Sequence, residues 1–362
     1  MGFVWHVGLR YRCGLSRTGK GDAVNGSAGA RKKSRLQAVS DARGVIAAVA
    51  IDQRSALKKL FADCMGVAPE AVPAEKLVQF KEAASRILTR YASAILLDPE
   101  YGLPAARQRA NAGLLLAYEK TGYDQRIPGR LPSLLELWSV ERLVEAGADG
   151  VKLLLYYSKF SPGEIYDTKC AFVERVGAEC AAADIPFFLE LVAYSEQAEA
   201  KTAEFARTKP AIISAGVAEF SKPRYRVDVL KVGFPVDLAF VEASPIANSQ
   251  IIYSRQTARE HFHELASVTA LPFLFLSEGV SNEAFQFGLE LATDAGASFS
   301  GVLCGRATWK DGVAIMVRKG IAAFEEWLAR EGVENVQNIN RRLAAATSVF
   351  DRAPRSPARG SH

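Results

Sequence analysis

Three ionisable residues stand alone inside short apolar runs: Lys152 in Gly150-Val-Lys-Leu-Leu-Leu-Tyr-Tyr157, Glu190 in Phe187-Phe-Leu-Glu-Leu191, and Lys231 in Val229-Leu-Lys-Val232. A charge flanked on both sides by apolar strand residues is costly to bury unless it is paired or neutralised. Taken singly, each fits a structural ion pair across adjacent strands. Two lysines and a glutamate on consecutive runs form a more chemical set. A partly desolvated amine beside a second cation gives up its proton more readily and can attack a ketone. A carboxylate within reach then moves a proton to or from a hydroxyl. That is the machinery of imine-forming aldol chemistry. A zinc-dependent route to the same bond change would need several histidines, and the body of the chain has only His261 and His263, both inside a helical stretch. No metal and no cofactor are expected.

Such residues need a frame that points them at one another. From residue 43 onward, apolar runs of five to eight residues alternate with amphipathic stretches. The runs are Val45–Asp52, Ala94–Asp98, Gly113–Glu119, Gly150–Tyr157, Phe187–Tyr194, Val229–Val236, Phe273–Ser277 and Gly301–Arg306. Short two-sided apolar runs are the mark of strands buried on both faces. Eight alternating strand–helix units predict an α/β fold, a single (β/α)8 barrel over 37–350. The stretch from Ser139 to Gly147 has a cap at its start and a glycine stop, and Asn282 to Ala295 reads the same way. Helices over Val313–Glu331 and Val336–Ser348 close the fold.

In such a barrel the working groups lie at the C-terminal ends of the strands. Charged and polar residues do collect there: Asp52-Gln53-Arg54, Asp98-Pro-Glu-Tyr-Gly102 and Glu119-Lys120 end the first three runs. The last two end differently, in Ser277-Glu-Gly279 and Cys304-Gly-Arg306. Glycine and serine turns expose backbone N–H groups and Arg306 adds a fork of donors, so Ser277, Gly279, Gly305 and Arg306 form a candidate phosphate site.

Composition narrows the function classes. Net charge is +5, but residues 1–36 carry +7 and the tail 351–362 carries +2, which leaves a body of −4. A mildly acidic body with basic ends does not describe a nucleic-acid binder. Both ends read as solvated, poorly ordered chain. The Arg-, Gly- and Ser-rich beginning overlaps in composition with an organellar transit peptide, with an over-extended start and with a neutral extension. No apolar run is long enough for a membrane span. Five cysteines without a Cys-x-x-Cys pair predict reduced thiols and a cytoplasmic protein.

Longer blocks carry a resemblance: Ala50-Ile-Asp-Gln-Arg-Ser-Ala-Leu-Lys58, Leu97-Asp-Pro-Glu-Tyr-Gly-Leu-Pro104, Gly147-Ala-Asp-Gly-Val-Lys152, Asp228-Val-Leu-Lys-Val232 and Gly301-Val-Leu-Cys-Gly-Arg-Ala-Thr-Trp309. Over residues 35–348 the chain resembles the class I tagatose 1,6-bisphosphate aldolases and is similar to their relatives that cleave sulfofructose 1-phosphate. The resemblance implies a metal-independent carbon–carbon lyase acting on a phosphorylated ketose. Its product pair would be dihydroxyacetone phosphate and glyceraldehyde 3-phosphate, with fructose 1,6-bisphosphate as a second substrate. It implies Lys231 as the Schiff-base lysine, Glu190 as general acid/base, Lys152 as a second active-site lysine acting on Lys231, Asp52 and Gln53 as sugar ligands, and Ser277, Gly305 and Arg306 as phosphate ligands. A homo-oligomer is also implied. Glu278 departs from the family pattern, which has a small residue beside the phosphate site. Two other readings stand beside this one: the same chemistry on a sugar ending in a sulfonate, with Lys58, Arg54 or Arg126 at the far anion, and a metabolite-binding regulator on the same scaffold.

Overall fold

The computed structural model describes residues 29–120 and 127–351. Eight strands form a closed parallel barrel in chain order: β1 (Ile46–Ala50), β2 (Ala94–Leu97), β3 (Gly113–Ala117), β4 (Gly150–Tyr157), β5 (Phe187–Ala193), β6 (Val229–Val232), β7 (Phe273–Phe275) and β8 (Gly301–Cys304), with β8 pairing back onto β1. Each lies within one of the eight apolar runs, and several stop short of the polar residues that end the run. The helices are α1 (Ala30–Ala38), α2 (Ser55–Met65), α3 (Ala74–Leu88), α4 (Leu103–Gln108), α5 (Val140–Glu145), α6 (Gly163–Ala182), α7 (Ala203–Phe220), α8 (Arg255–Ser267), α9 (Asn282–Asp294), α10 (Arg306–Trp309), α11 (Gly312–Trp327) and α12 (Val333–Arg341).

Local chemistry explains the helix ends. The Ser139 hydroxyl accepts from the Arg142 N–H at 3.2 Å, and Gly147 takes φ 94° beyond α5. Ser281 caps α9 in the same way through the Ala284 N–H. The last two helices do not divide as the sequence suggests. Gly332, in the gap expected between them, is helical at φ −61°, and a π-turn over Leu328–Gly332 joins α11 to α12. A side chain at Gly332 would meet Leu328 and Leu88 at 3.1 and 3.3 Å, so the residue is small for packing. The break falls at Gly320 instead, with φ 86° inside α11. Residues 1–28 and 352–362, which hold most of the two basic ends, lie outside the described residues. The boundary placed at residue 37 falls within α1, a formed helix whose Lys32 pairs with Asp228 at 3.0 Å.

Two cores result. One lies between the barrel and its helices; the other fills the barrel itself, with Ala48, Ala50, Leu96, Leu115, Ala117, Phe188, Val229, Leu274 and Leu303 pointing inward. Leu36 and Val39 at α1, together with Val349, close this inner core at the N-terminal end of the strands. Side chains alternate along a strand, and the next inward positions are polar. Asp52 follows Ala50, Glu119 follows Ala117, Lys152 follows Gly150, Glu190 follows Phe188 and Lys231 follows Val229. The apolar layer is thus a dry floor under a charged layer.

Phe188 is fully buried in that floor, directly below Glu190. Phe188→Ala is expected to cost about 3–5 kcal/mol, the usual range for emptying an aromatic core position, and urea denaturation measures it.

Candidate active site

The charged layer is a network centred on Lys152. Its ammonium donates to Asp52 Oδ2 at 2.8 Å and Glu119 Oε1 at 2.6 Å, and lies 2.8 Å from Glu190 Oε2. Lys231 Nζ donates to that same Glu190 oxygen, also at 2.8 Å. Register makes this meeting unavoidable: Glu190 pairs with Lys231 across β5 and β6, while Lys152 stands opposite Phe188 one pleat below. Lys152, Lys231 and Glu190 are 1%, 3% and 6% exposed. All three therefore interact with little screening by water.

Burial favours the neutral form of each group, and the network overrides it. Burial works against the Lys152 ammonium, yet Asp52, Glu119 and Glu190 together hold its pKa well above the ordinary lysine value. Burial likewise opposes ionised Asp52 and Glu190, but Lys152 and Lys231 hold both carboxyls below their usual range. Glu119 goes the other way: its burial, with Asp52 nearby, outweighs Lys152 and Arg54 and raises it. Among the described residues, Lys231 has one carboxylate partner and Lys152 has three. The two lysines are therefore electrostatically unlike. Lys152 is a compensated, fixed cation, rather than a bare one pressing on its neighbour.

Outer groups hold this layer in place. Lys81 of α3, wholly buried, donates to the carbonyls of Ile51 at 2.7 Å and Gln53 at 3.0 Å, the two residues that flank Asp52, and it pairs with buried Asp98. Arg54 bonds the Glu119 carbonyl and Glu100 Oε2, both at 2.7 Å, and lies 4.0 Å from Glu119 Oε1. It is thereby committed to the frame, which removes it from the candidates for a far anion. The Gln53 amide donates to Asp52 Oδ1 at 3.1 Å, and its own buried oxygen has no partner among the described residues.

The loops after β7, β8 and β1 converge as expected. A side-chain carbon at Gly279 would lie 2.7 Å from the Arg306 guanidinium carbon, and one at Gly305 would lie 3.2 Å from the Gln53 amide nitrogen. Glycine at these two positions leaves the backbone open beside Arg306 and Gln53. Buried Ser277 bonds the Cys304 thiol, which burial pushes up to about 12. Glu278 turns away from Arg306 to pair with Lys209 of α7 at 2.7 Å, which disposes of its conflict with a phosphate. Arg126 lies outside the described residues, and Lys58 stands over the Tyr101 ring on the β1–β2 side.

Reasoning from sequence assigns the site to Asp52, Gln53, Lys152, Glu190, Lys231, Ser277, Gly279, Gly305 and Arg306, and sees in Glu119 a charge ending its strand run without giving it a role. The signal was present, because Glu119 shares its strand face with Ala117 and so points inward.

Residues 46–311 match the DeoC/LacD family aldolase. The chain belongs to that family. It is 52% identical over 323 residues to tagatose 1,6-diphosphate aldolase 2 of Enterococcus faecalis, covering 89% of this chain and 96% of that one. It is 46% identical over 321 residues to the tagatose 1,6-diphosphate aldolase of Staphylococcus epidermidis, covering 88% and 97%. Among solved structures, fructose-bisphosphate aldolase from Plasmodium falciparum shares the fold at 15% identity, with a TM-score of 0.63 over 88% of this chain and 96% of that one. The DeoC/LacD family protein described here is an aldolase, a carbon–carbon lyase.

Removing the central ammonium leaves three carboxyls together in a dry site. Lys152→Met is expected to lose about 3–5 kcal/mol at pH 7. Without the cation, burial raises the folded-state carboxyl pKa values above the unfolded ones, so the folded variant binds the extra protons and gains stability as pH falls. In the native network Asp52 and Glu190 are depressed, so their contribution is full above about pH 4 and drains as pH drops through their folded values. Raised Glu119 is common to both proteins. The stability gap between variant and wild type should therefore narrow from about pH 7 to pH 5, the range over which such raised carboxyls titrate, as measured by denaturation at each pH.

Proposed function

We propose that this chain cleaves D-tagatose 1,6-bisphosphate to dihydroxyacetone phosphate and D-glyceraldehyde 3-phosphate, with Lys231 as the Schiff-base residue. The observation that carries the reading is the single Glu190 oxygen shared by two unlike lysines. The names of the relatives in Enterococcus and Staphylococcus supply the substrate.

The chemistry follows from the contacts. Glu190 takes a proton from Lys231, whose Nζ lone pair adds to the C2 carbonyl; Glu190 then returns that proton to the carbinolamine hydroxyl, which leaves as water, so that an iminium and a Glu190 carboxylate remain. A carboxylate then removes the C4 hydroxyl proton, the C3–C4 bond breaks, its electron pair passes into the enamine, and the aldehyde departs. Glu190, bonded to the Lys231 amine, is assigned to that step. Protonation at C3 and hydrolysis of the imine release dihydroxyacetone phosphate and restore the amine. Lys152 keeps Glu190 oriented and favours its return to the carboxylate after each proton transfer, holds Asp52 ionised, and offers a fixed positive charge to the oxygens of the bound sugar. The phosphate on C1 goes to the loops bearing Ser277, Gly279, Gly305 and Arg306, with Asp52 and Gln53 on the hydroxyls.

The reading is metal-independent. An ammonium fills the centre of the three carboxylates, where a divalent cation would otherwise have to sit. A reducing compartment such as the cytoplasm fits the free Cys64, Cys170, Cys180 and Cys304.

Borohydride added with dihydroxyacetone phosphate should fix that ketone's mass on Lys231, found by peptide mapping. Lys231→Ala should lower kcat by about 10^4-fold or more, the scale for losing a covalent nucleophile, while the barrel still folds. Excess EDTA should leave the rate unchanged. A Lys231→Ala enzyme that still turns over would remove the covalent role.

A further inference from the structure

On the side of the mouth opposite β7 and β8 stands a cation that no carboxylate among the described residues pairs with. Arg130, in the loop between β3 and α5, has its guanidinium 5.0 Å from the ring centroid of Tyr156 and 4.8 Å from that of Tyr194. The two rings meet edge to face at 6.0 Å. Tyr156 shares the inward face of β4 with Lys152 and stands four residues further along, about 13 Å nearer the mouth at the usual strand rise. Tyr194 follows the end of β5, and its hydroxyl is fixed by Lys169 at 3.1 Å and Ser161 at 3.3 Å.

Arg130 is half-buried and makes no ion pair among the described residues. The nearby Glu196 is engaged with the Gly129 N–H at 2.9 Å. Lys169, a second cation against the Tyr194 ring, is buried and held down to about 8, first by burial and also by Arg130. Positive charge is in excess at this spot. Two rings set at right angles against the guanidinium restrain its position, and among the described residues its N–H groups carry no ion pair, which prepares it for bonds to a tetrahedral oxyanion.

We propose that Arg130 is the specificity-determining residue that binds the anion at C6 of the substrate, phosphate or sulfonate, with Tyr156 and Tyr194 holding its guanidinium in place. This rests on the aldolase reading above. With C2 at Lys231 on β6 and the C1 phosphate at the loops after β7 and β8, carbons 3 to 6 extend across the mouth toward the β3–β5 side, where Arg130 stands. Lys58 is on the β1–β2 side and Arg54 is spent within the frame, so neither competes for this place.

The test compares kcat/KM for D-tagatose 1,6-bisphosphate, D-tagatose 1-phosphate and sulfofructose 1-phosphate in wild type, Arg130→Gln and Arg130→Lys. The expected result is a fall of about 10- to 100-fold in the bisphosphate to 1-phosphate ratio for Arg130→Gln, the scale of one charge-assisted contact, and a smaller fall for Arg130→Lys, which keeps charge but loses the fork. Parallel loss on the sulfonate sugar would assign Arg130 to either oxyanion; loss on the bisphosphate alone would assign it to phosphate. An unchanged ratio, whether the separate rates hold or fall together, overturns the assignment while leaving the aldolase intact. A wild type inert toward all three sugars overturns the aldolase reading and this one with it.

Discussion

One ammonium group, on Lys152, organises the charged layer of this barrel. Three carboxylates lie within hydrogen-bond distance of it, in a layer walled from water. Without that cation the carboxylates would repel one another and take up protons; without them the cation could not stay charged so deep. Each side makes the other tolerable, as buried charges require. The arrangement also separates two lysines of identical chemistry. Lys152 is committed to three partners, whereas Lys231 touches one carboxylate oxygen that it shares. The asymmetry of roles comes from the number of neighbours and not from residue type.

The barrel supplies what such a cluster needs, namely short rigid strands whose inward positions are set by register. The apolar floor of Phe188, Val229, Leu274 and Leu303 fixes the height of the charged layer and keeps water from entering below. Around it, ties that touch no substrate hold the backbone. Lys81 binds the carbonyls on both sides of Asp52, and the Trp309 indole donates to the Ala50 carbonyl at 2.9 Å. Asp52 thus sits on a clamped stretch of chain just past the end of β1. Charge placed by clamped backbone needs little rearrangement when a reacting group develops charge, which is the physical basis of preorganised catalysis.

Much of this was legible in the sequence, for identifiable reasons. Runs buried on both faces leave an unbroken apolar signature, so all eight strands were visible, and an ionisable residue inside such a run is conspicuous. Lys152, Glu190 and Lys231 declared themselves in this way. Glu119 did so less clearly, because it is the last residue of its run, where a charge usually means solvent. Only its parity with Ala117 betrays its direction. The gap expected over 332–335 is helical because Gly332 is small for packing and does not end the helix; glycine serves either purpose, and local pattern does not distinguish them. The threefold bonding of Lys152, the commitment of Arg54 to Glu119 and Glu100, and the turn of Glu278 toward Lys209 all depend on contacts between distant elements. Local pattern carries no trace of these.

The charged layer depends on Lys152 remaining an ammonium. Protein labelled with 15N-lysine, in the Lys231→Ala background to free the spectrum of that site, allows the Lys152 Nζ resonance to be followed by NMR from neutral pH upward. It should keep the shift of a charged, slowly exchanging ammonium past about pH 10, where ordinary lysines titrate. A resonance that moves to the neutral amine position below about pH 9 would contradict the account, because the three carboxylates would then not be holding the charge in place.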